Sequence, residues 1–573
     1  MKDMGFNHIR IAAIGTVKLS ENGELTIDTP FVDAMIDEAE KQDISISVRL
    51  QGYSVNLRDF KDVCMINADG NPQDLSAWFD FIQTTLCHEG ILEDNRFLSE
   101  KLSSYYAKKE SVVGFQIYNE PHFPGSVFFD YHPCAIEAYR KWLVKHNIMT
   151  KSESKSYFPP RKRKEQSPRM WALWRLFSQE SLSNFLDNAS IPAKAATGLP
   201  TFTCLTTCST IPASPYRGAD LFANARTSMD IIGYTCYFHA VGEEYYTMNL
   251  LLDITACAAK AEKKETWCIE LDSRTSIPKS LFNKNSYATI GSGAKGIVYY
   301  QWRGDYPSKA TPIPNGCGLV NYDGSKTDNF DNAAKTVVYI NEMSDYIVNS
   351  ERANDGIGIF HSDYAIFMCD AIENTDEERR DITLSNSYLM QYKDMYSDLR
   401  KKNYTVNVVD ACTLKNNAFD LYALFVPRRD FLSQEEQSII EDFIANGGIV
   451  FESPTLIADV VCTNRGYTAY GTGIADYNLF CNINEICEEF LKKTVVSCNN
   501  PLVGVQRLVG KDYSLIVLTN LSCSERKQSL KLTFTSDICE ATLCTPDKKQ
   551  KLSVLNNEVF IDGLSDGGIV VVK

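Results

Sequence analysis

The sequence predicts an α/β protein: a TIM (β/α)8 barrel, then a smaller open α/β domain, then a C-terminal antiparallel β domain. From the N-terminus, short β-rich runs alternate with longer amphipathic stretches, which is typical of a parallel α/β fold. The alternation resumes with different spacing after Val348, and from Leu502 onward only strand-like runs appear. We therefore expect three domains, at residues 1–350, 351–495 and 496–573.

Seven strand-like runs belong to the predicted barrel. They are NHIRIAA near residue 8, ISISVRL (44–50), VVGFQIY (112–118), TFTCLTT (201–207), DIIGYTCYF (230–238), TWCIEL (266–271) and GIVYYQW (296–302). Helical patterns such as FVDAMIDEAEKQ lie between them, with apolar residues recurring at a period near 3.6. The last helical stretch covers about residues 329–348.

A complete barrel of this kind has eight strands, so the predicted series is one strand short. The chain opens with MKDMGFNHIR, which is typical of a helix end, a glycine stop and a strand. We expect the first strand and most of its helix to be missing. Met1 would then be an internal methionine of a longer protein, or the start codon is misplaced, because an open barrel leaves strand edges unpaired.

The remainder of the chain carries two further patterns. In the second domain, the apolar runs are GIGIFHS, AIFMCD, YTVNVVD, YALFVPR and IVFES, with helical patterns at SYLMQYKDMYSDLRKK and SQEEQSIIEDFIANGG. In the third domain, the runs VGVQRLVG, YSLIVLTNL, SLKLTF, EATLCT, KLSVL, EVFIDG and GIVVVK predict a β-sandwich of about 70 residues.

Charge and composition exclude some classes of partner. The net charge is −15 over 573 residues, which argues against a nucleic acid, since phosphate backbones are bound through clustered Lys and Arg. The basic run RKRK at 161–164 is interpreted as a solvated insertion between two helices rather than a localisation or nucleic-acid patch. A small neutral substrate fits this chain better.

The cysteine pattern predicts reduced thiols, and the hydropathy predicts no membrane-spanning segment. The 18 cysteines are diluted over a large chain and lie mostly in apolar segments, which is typical of buried thiols. The closest pair, Cys204 and Cys208, has no second pair of metal-ligand spacing nearby, so no metal is expected. No apolar run reaches about 20 residues and no signal peptide follows Met1, so the cytoplasm is the predicted location.

Two glutamates stand where predicted barrel strands end, which is where barrel enzymes place their active sites. Glu120 follows VVGFQIYN and Glu270 ends TWCIE. With the absent strand counted first, they fall on strands four and seven, which face each other. Retaining hydrolysis of a glycosidic bond requires two carboxyl groups about 5 to 5.5 Å apart, and Asn119 beside Glu120 is suited to bind a sugar hydroxyl. The alternative is that both glutamates only face solvent. Glu265 is not a candidate, because it precedes its predicted strand and would lie at the opposite end of the barrel.

Supporting residues follow from the same strand ends. Tyr237, which lies near the end of DIIGYTCYF, is suited to donate a hydrogen bond to Glu270, with a plain core aromatic as the alternative. Trp302 is suited to form an apolar platform under a sugar ring, or it packs in the core. Gln301 and Arg303 flank it as substrate-binding candidates, or they only satisfy polar groups at the strand end.

The motif NEP after VVGFQIY, the strand-seven glutamate and GIVYYQWR together resemble clan A of the glycoside hydrolases, most closely the family 42 β-galactosidases. MKDMGFNHIRIA, AYRKWLVKHN and DIIGYTCYF resemble further segments of that family. The second domain resembles the family's trimerisation domain, an open flavodoxin-like sheet of the glutamine-amidotransferase type without its catalytic cysteine. VQRLVGKDYSLIVLTNLS resembles the family's C-terminal β domain.

This resemblance implies a retaining, exo-acting β-glycosidase that removes terminal β-D-galactosyl residues from small oligosaccharides or glycosides. By resemblance, Glu120 is the acid/base and Glu270 the nucleophile, Asn119 and Trp302 bind the sugar, and Tyr237 is the partner of the nucleophile. Mechanistically, Glu120 must begin protonated and Glu270 ionised. The resemblance also implies a homotrimer and no cofactor.

Departures from the family pattern leave other readings open. NEP replaces the more usual asparagine, glutamate and aromatic; AAIGTVKLSENGEL lacks the usual Trp and Glu-Pro; RGDYPSKATPIPNGCGLV lacks the acidic, His-bearing loop. These segments normally help to select galactose, so β-mannosidase, β-glucosidase and arabinopyranosidase activities stay open, as does a non-catalytic carbohydrate-binding relative. An amidotransferase activity of the second domain is disfavoured, because Gly447 and Gly448 precede IVFES without a cysteine and His361 stands alone.

Overall fold

The computed structural model describes most of the chain. The described residues are 1–12, 15–19, 24–50, 60–72, 84–123, 130–205, 218–273, 277–304, 318–374, 386–452, 468–470 and 482–573. Cys208 and residues 305–317, which hold most of the segment after the last predicted barrel strand, lie outside them, and so do six residues of AAIGTVKLSENGEL, namely 13, 14 and 20–23.

The N-terminal part forms a nearly closed parallel barrel. Its strands are β1 (His8–Ala12), β2 (Thr16–Leu19), β3 (Leu25–Asp28), β4 (Ser45–Arg49), β5 (Val112–Asn119), β6 (Thr201–Leu205), β7 (Ile231–Cys236), β8 (Glu265–Asp272) and β9 (Gly296–Tyr300). In the described part of the chain, seven of them pair in parallel in the order β1, β4, β5, β6, β7, β8, β9. The two edge strands, β1 and β9, lie close together. The predicted barrel class is confirmed.

Helices cover the outside of this barrel. They are α1 (Pro30–Lys41), α2 (Phe60–Val63), α3 (Glu89–Tyr106), α4 (Pro133–Lys145), α5 (Lys151–Ser154), α6 (Pro168–Thr197), α7 (Leu221–Ala225), α8 (Glu244–Ala261), α9 (Lys279–Gly291), α10 (Phe330–Glu342) and α11 (Ser344–Val348), with a 3-10 turn at Lys2–Met4. Local signals bound the longest one: the Ser167 hydroxyl accepts the N–H of Met170, and Gly198 ends α6 in the left-handed conformation.

A β-hairpin that was not predicted follows β1. Strands β2 and β3 pair antiparallel, with Val17 opposite Ile27. Residues 16–19 and 25–28 therefore form local structure between the second and third predicted barrel strands rather than only a connection.

The prediction of a solvated basic insertion is wrong at Arg163. Its side chain is fully buried, and its Nε lies 2.9 Å from Oδ2 of Asp370, which is also fully buried. The guanidinium also lies over the ring of Trp171, 5.5 Å from its centroid. Arg163 is thus covered by the second domain, whereas Arg161 and Lys164 are exposed. The contact with Asp370 is not visible in the local sequence.

The second domain is an open sheet, as predicted. After β10 (Glu351–Arg352), the elements are β11 (Ile357–Phe360), β12 (Val406–Val409), β13 (Ala423–Val426), β14 (Ile449–Glu452) and β15 (Thr468–Tyr470), with α12 (Asp363–Glu373), α13 (Ser387–Lys401), α14 (Ala411–Lys415), α15 (Gln434–Ala445), α16 (Ile483–Glu489) and a 3-10 turn at Arg429–Phe431. The strand order is β12, β11, β13, β14, β15, which is the flavodoxin-like order with an antiparallel last strand.

One element of that domain is corrected. The run AIFMCD, expected among the strands, lies in helix α12, whose Ser362 cap accepts the N–H of Ala365. A short apolar run does not distinguish a buried strand from a buried helix by periodicity.

The C-terminal part is antiparallel, as predicted. Its strands are β16 (Val496–Cys498), β17 (Val503–Val509), β18 (Ser514–Asn520), β19 (Gln528–Phe534), β20 (Ala541–Thr545), β21 (Lys548–Leu552), β22 (Val554–Leu555), β23 (Glu558–Leu564) and β24 (Gly567–Val572). One sheet has the order β10, β17, β18, β24, β20, β21 and the other β16, β19, β23, β22. The predicted run KLSVL is divided between β21 and β22, and β10 belongs to this sheet. The domain bounds at 350 and 495 stay a prediction.

Three general features concern the described residues only. None of their helices is both long and apolar enough to cross a bilayer. The cysteines among them form no disulfide with one another, and Cys204, Cys257, Cys268 and Cys369 are buried. No group of three or more His, Cys, Asp or Glu in the described ranges is arranged to hold a metal ion.

Candidate active site

Strand β5 contains an irregularity directly before the first glutamate. Gln116 pairs with Phe202 on β6, whereas Asn119 pairs with Cys204, so three steps along β5 match two along β6. Side chains alternate between the faces of a regular strand, and one extra residue reverses that alternation. Gln116 and Asn119 therefore share a face, and their amide groups contact each other at 3.1 Å (Nε2 to Oδ1).

Strand β8 contains a matching irregularity before the second glutamate. Tyr234 on β7 pairs with Cys268, but the next residue, Thr235, pairs with Glu270, so β8 has one residue more than β7 at this point. This extra residue changes the face of β8 from which the side chain of Glu270 projects. Glu270 is 5% exposed. Bulges of this kind commonly re-aim side chains next to active sites.

The carboxylate of Glu270 is held by two donors from different strands. Arg10 on β1 donates from Nη2 to Oε1 at 2.6 Å, and Tyr237, just after β7, donates from its hydroxyl to Oε2 at 2.7 Å. Burial lowers the pKa of the Arg10 guanidinium, but the charge and hydrogen bond of Glu270, together with Cys204 and Tyr237, raise it more, so that the pKa is raised overall. Both oxygens of the carboxylate are therefore fixed in direction.

Arg10 also reaches the strand that carries the other glutamate. Its Nη1 donates to Oδ1 of Asn119 at 3.0 Å and to Oε1 of Gln116 at 3.1 Å. The side chain of Gln116 is completely buried and that of Asn119 nearly so. One connected hydrogen-bond network thus joins β1, β5, β7 and β8 around Glu270.

Glu120 follows Asn119 at the carboxyl end of β5 and is half-buried. Its φ of 41° lies in the left-handed region, which non-glycine residues rarely adopt and which carries strain of about 1–3 kcal/mol. The ring nitrogen Nδ1 of His122 contacts the backbone carbonyl of Glu120. Backbone strain that is held in place by neighbours is common at functional sites.

The charges of both glutamates affect the pKa of the same phenol, that of Tyr237. Burial raises the pKa of Tyr237 far above its usual range, and the charges of Glu270 and then Glu120 raise it further. Tyr237 therefore stays protonated and acts as a donor. The thiol of Cys204 on β6 is affected in the same way: burial raises its pKa well above the ordinary value, and both Glu270 and Glu120 contribute.

The three predicted substrate-binding residues after β9 differ in burial and in contacts. Trp302 is half-buried and packs against Phe6 and Phe330, at ring distances of 6.0 and 6.2 Å. Gln301 follows a cis peptide bond, and its buried Nε2 has no hydrogen-bond partner among the described residues. Arg303 is exposed, and its guanidinium lies near Gly324 in the following turn.

A second polar pair lies beyond Tyr237 and Glu270, at the next alternate positions of both segments. Nε2 of His239 lies 3.4 Å from Oδ2 of Asp272. Asp272 is fully buried, and the backbone N–H of His239 donates to Oε1 of Glu244 at 2.8 Å.

The sequence placed Glu120 directly after β5 and Glu270 near the end of β8, and it predicted the contact of Tyr237 with Glu270, which the structure confirms. It did not predict the contacts of Arg10 and Gln116. A signal for both was present. Each is a polar residue within an apolar strand run, NHIRIAA or VVGFQIY, and buried polar groups require partners.

A family model described as β-galactosidase, that of glycoside hydrolase family 42, matches residues 1–343, which is more than half of the chain. The chain belongs to glycoside hydrolase family 42. It is a glycoside hydrolase of the β-galactosidase type. A comparison with curated protein sequences gave no match.

Solved structures of family 42 enzymes have the same fold. The β-galactosidase of Bacillus circulans sp. alkalophilus is 13% identical, with 100% of this chain and 95% of that chain covered and a TM-score of 0.75. A catalytic mutant of Gan42B, a β-galactosidase from G. stearothermophilus, is 13% identical over 100% and 94% of the chains, with a TM-score of 0.77. The family 42 exo-carrageenase from Bacteroides ovatus is 14% identical over 99% and 80%, with a TM-score of 0.68.

Proposed function

We propose that this family 42 enzyme is a retaining, exo-acting β-glycosidase that removes terminal β-D-galactosyl residues from small oligosaccharides or glycosides. Glu270 is the nucleophile and Glu120 the acid/base. The observation that carries the proposal is that Arg10 at 2.6 Å and Tyr237 at 2.7 Å hold the two oxygens of Glu270. The same Arg10 also donates to Asn119, the last residue of β5 and the one directly before Glu120. Two strong donors on its two oxygens fix the direction in which this buried carboxylate points.

The first step is transfer of the glycosyl group to the enzyme. Glu120 donates its proton to the glycosidic oxygen while a carboxylate oxygen of Glu270 attacks the anomeric carbon from the opposite face. The bond to the aglycone breaks and the aglycone leaves with the proton. As the new ester forms, Glu270 loses its charge, and Tyr237 and Arg10 hold it in line with the sugar.

The second step releases the sugar. Glu120, now a carboxylate, takes a proton from water, and the water oxygen attacks the anomeric carbon and displaces Glu270. Two inversions give net retention. Asn119 donates to the sugar hydroxyl next to the anomeric carbon, an interaction that strengthens in the transition state. Trp302 supplies an apolar surface for the ring, with Gln301 and Arg303 beside it.

Assembly and location are part of the same proposal. The family resemblance of the second domain supports a homotrimer, and the sequence pattern supports a cytoplasmic enzyme. Light scattering of the purified protein tests the first, because a monomer or dimer mass contradicts it.

A panel of nitrophenyl glycosides tests the activity and the sugar together. The β-galactoside, β-glucoside, β-mannoside and α-L-arabinopyranoside are compared with the wild type, Glu120→Gln, Glu270→Gln and, as a matched control, Glu265→Gln at the other end of β8. We expect β-galactoside hydrolysis that both site variants lose and the control retains. Hydrolysis of another glycoside but not of the β-galactoside contradicts the proposed preference for galactose. If none of the four glycosides is hydrolysed, the non-catalytic alternative is favoured.

A further inference from the structure

Gln116 lies between the clamp on Glu270 and the sugar-binding candidate Asn119. It is 0% exposed. Its Oε1 accepts from Nη1 of Arg10 at 3.1 Å, and its Nε2 donates to Oδ1 of Asn119 at 3.1 Å and to the carbonyl of Tyr118 at 2.9 Å. All the polar atoms of this side chain thus have partners inside the barrel.

These contacts determine which way each amide group faces. A guanidinium has only donors, so the Gln116 atom that faces Arg10 must be the carbonyl oxygen. Its NH2 group then faces the opposite way, where the carbonyl of Tyr118 requires a donor. Reversing the Gln116 amide would place an NH2 against Arg10 and an oxygen against Tyr118.

The orientation is passed on to Asn119. Its Oδ1 accepts from two donors, Nη1 of Arg10 at 3.0 Å and Nε2 of Gln116 at 3.1 Å. With the oxygen held on that side, the NH2 group of Asn119 is directed to the other side. The irregularity in β5 makes this possible, because it places residues 116 and 119 on one face of the strand.

We propose that Gln116 is a positioning residue that fixes the Asn119 amide so that its NH2 group, rather than its oxygen, is presented to the sugar hydroxyl next to the anomeric carbon. The inference rests on the proposed function, in which Asn119 binds that hydroxyl. Glutamine suits this place because it offers an acceptor to Arg10 and a donor to Asn119. Glutamate offers acceptors only, and methionine offers neither strong donor nor strong acceptor.

The test compares 4-nitrophenyl β-D-galactopyranoside with its 2-deoxy analogue, which lacks the hydroxyl in question. The variants are Gln116→Met and Gln116→Glu. For either variant we expect kcat/KM on the parent substrate to fall about 10- to 100-fold, the range typical of lost supporting contacts, with a much smaller fall on the 2-deoxy substrate. The preference for the parent over the 2-deoxy substrate should therefore collapse.

Two controls separate this role from general damage. Asn119→Ala should reduce the same preference, and adding Gln116→Met to it should reduce the preference no further. Gln506→Met removes another buried glutamine, which donates to Ser292 at 2.8 Å, and should leave the preference unchanged. The second variant, Gln116→Glu, keeps the shape of the side chain if Gln116→Met fails to fold.

The outcomes are distinct. Equal losses on both substrates in the Gln116 variants, with the preference still sensitive to Asn119→Ala, overturn the inference and leave the proposed function intact. A wild type without glycosidase activity overturns the proposed function and the inference with it. A preference that Asn119→Ala does not alter also overturns the inference, because Gln116 then has no sugar contact to act through.

Discussion

The side chains of Arg10 on β1 and Glu270 on β8 form a buried ion pair of 2.6 Å, which joins the first and the sixth strand of the parallel sheet in the described chain. Their side chains are 10% and 7% exposed. Removing one partner of such a pair leaves the other charge buried, which costs about 3–5 kcal/mol. The pair therefore contributes both to the stability of the barrel and to the position of Glu270, the proposed nucleophile.

Arg10→Met should lower both activity and stability. We expect a fall in the free energy of unfolding of about 3–5 kcal/mol and a large fall in kcat, because Glu270 keeps only Tyr237 as a partner. Urea denaturation and steady-state kinetics on the best nitrophenyl glycoside measure the two effects. Arg10→Met with unchanged kcat would show that Arg10 does not position the nucleophile.

Tyr237→Phe should reduce kcat while preserving the fold. The substitution removes one hydroxyl that donates to Glu270 at 2.7 Å and keeps the ring. Loss of one hydrogen bond to a charged group corresponds to about 1.5–3 kcal/mol, or roughly 10- to 150-fold in kcat by the usual conversion. Kinetics at saturating substrate measures it, with Tyr300→Phe as a control on a neighbouring ring at 6.4 Å; equal effects of both substitutions would contradict a specific role of Tyr237.

The pair between Arg163 and Asp370 should stabilise the contact of the barrel with the second domain. Both side chains are fully buried, so Arg163→Met should destabilise the protein by about 3–5 kcal/mol, whereas Arg163→Met combined with Asp370→Leu should recover much of that loss. Lys101→Met, which breaks the exposed pair with Glu100, should cost below about 1 kcal/mol. Urea denaturation measures these changes. If Arg163→Met lowers the free energy of unfolding no more than Lys101→Met does, the pair does not stabilise this contact.

The lowered pKa of His8 should make the stability of the protein depend on pH. Burial lowers the pKa of His8 from 6.5 to about 4, so between these values the unfolded chain binds more protons than the folded one. The stabilisation is fully present above pH 6.5 and is lost as the pH falls towards 4, by up to roughly 3 kcal/mol.

His8→Gln should flatten this dependence, because glutamine does not titrate and still offers polar atoms to Ser45 and Ser47, which His8 contacts at 2.8 and 3.0 Å. Urea denaturation of both proteins at several pH values between 4 and 7.5 measures it. The same slope in both would show that other groups cause the acid sensitivity.

The barrel strands and the positions of both glutamates near strand ends were predictable because their signals are local. An apolar run such as VVGFQIY or TWCIEL indicates a strand, and the polar residue at its end indicates the site. The partnership of Tyr237 with Glu270 followed from their places at adjacent strand ends. Each of these inferences needs only the neighbouring residues and the rule for where barrel sites lie.

The remaining features depend on geometry that local patterns do not contain. The face to which Gln116 and Asn119 both point depends on an extra residue in β5, and a regular alternation would place them on opposite faces. Arg163 is buried because it pairs with Asp370 of the second domain, which lies far away in the sequence. AIFMCD lies in a helix, and its short apolar run does not by itself distinguish a helix from a strand.

Trapping the covalent intermediate tests the central claim most directly. The enzyme is treated with 2-deoxy-2-fluoro-β-D-galactosyl fluoride, whose fluorine at C2 slows both steps while its good leaving group allows the first one. After proteolysis, mass spectrometry should find one fluorosugar on the peptide that contains Glu270, and none in Glu270→Gln. A label on a different carboxylate, or an active enzyme that hydrolyses the β-galactoside and is never labelled at Glu270, would contradict the account.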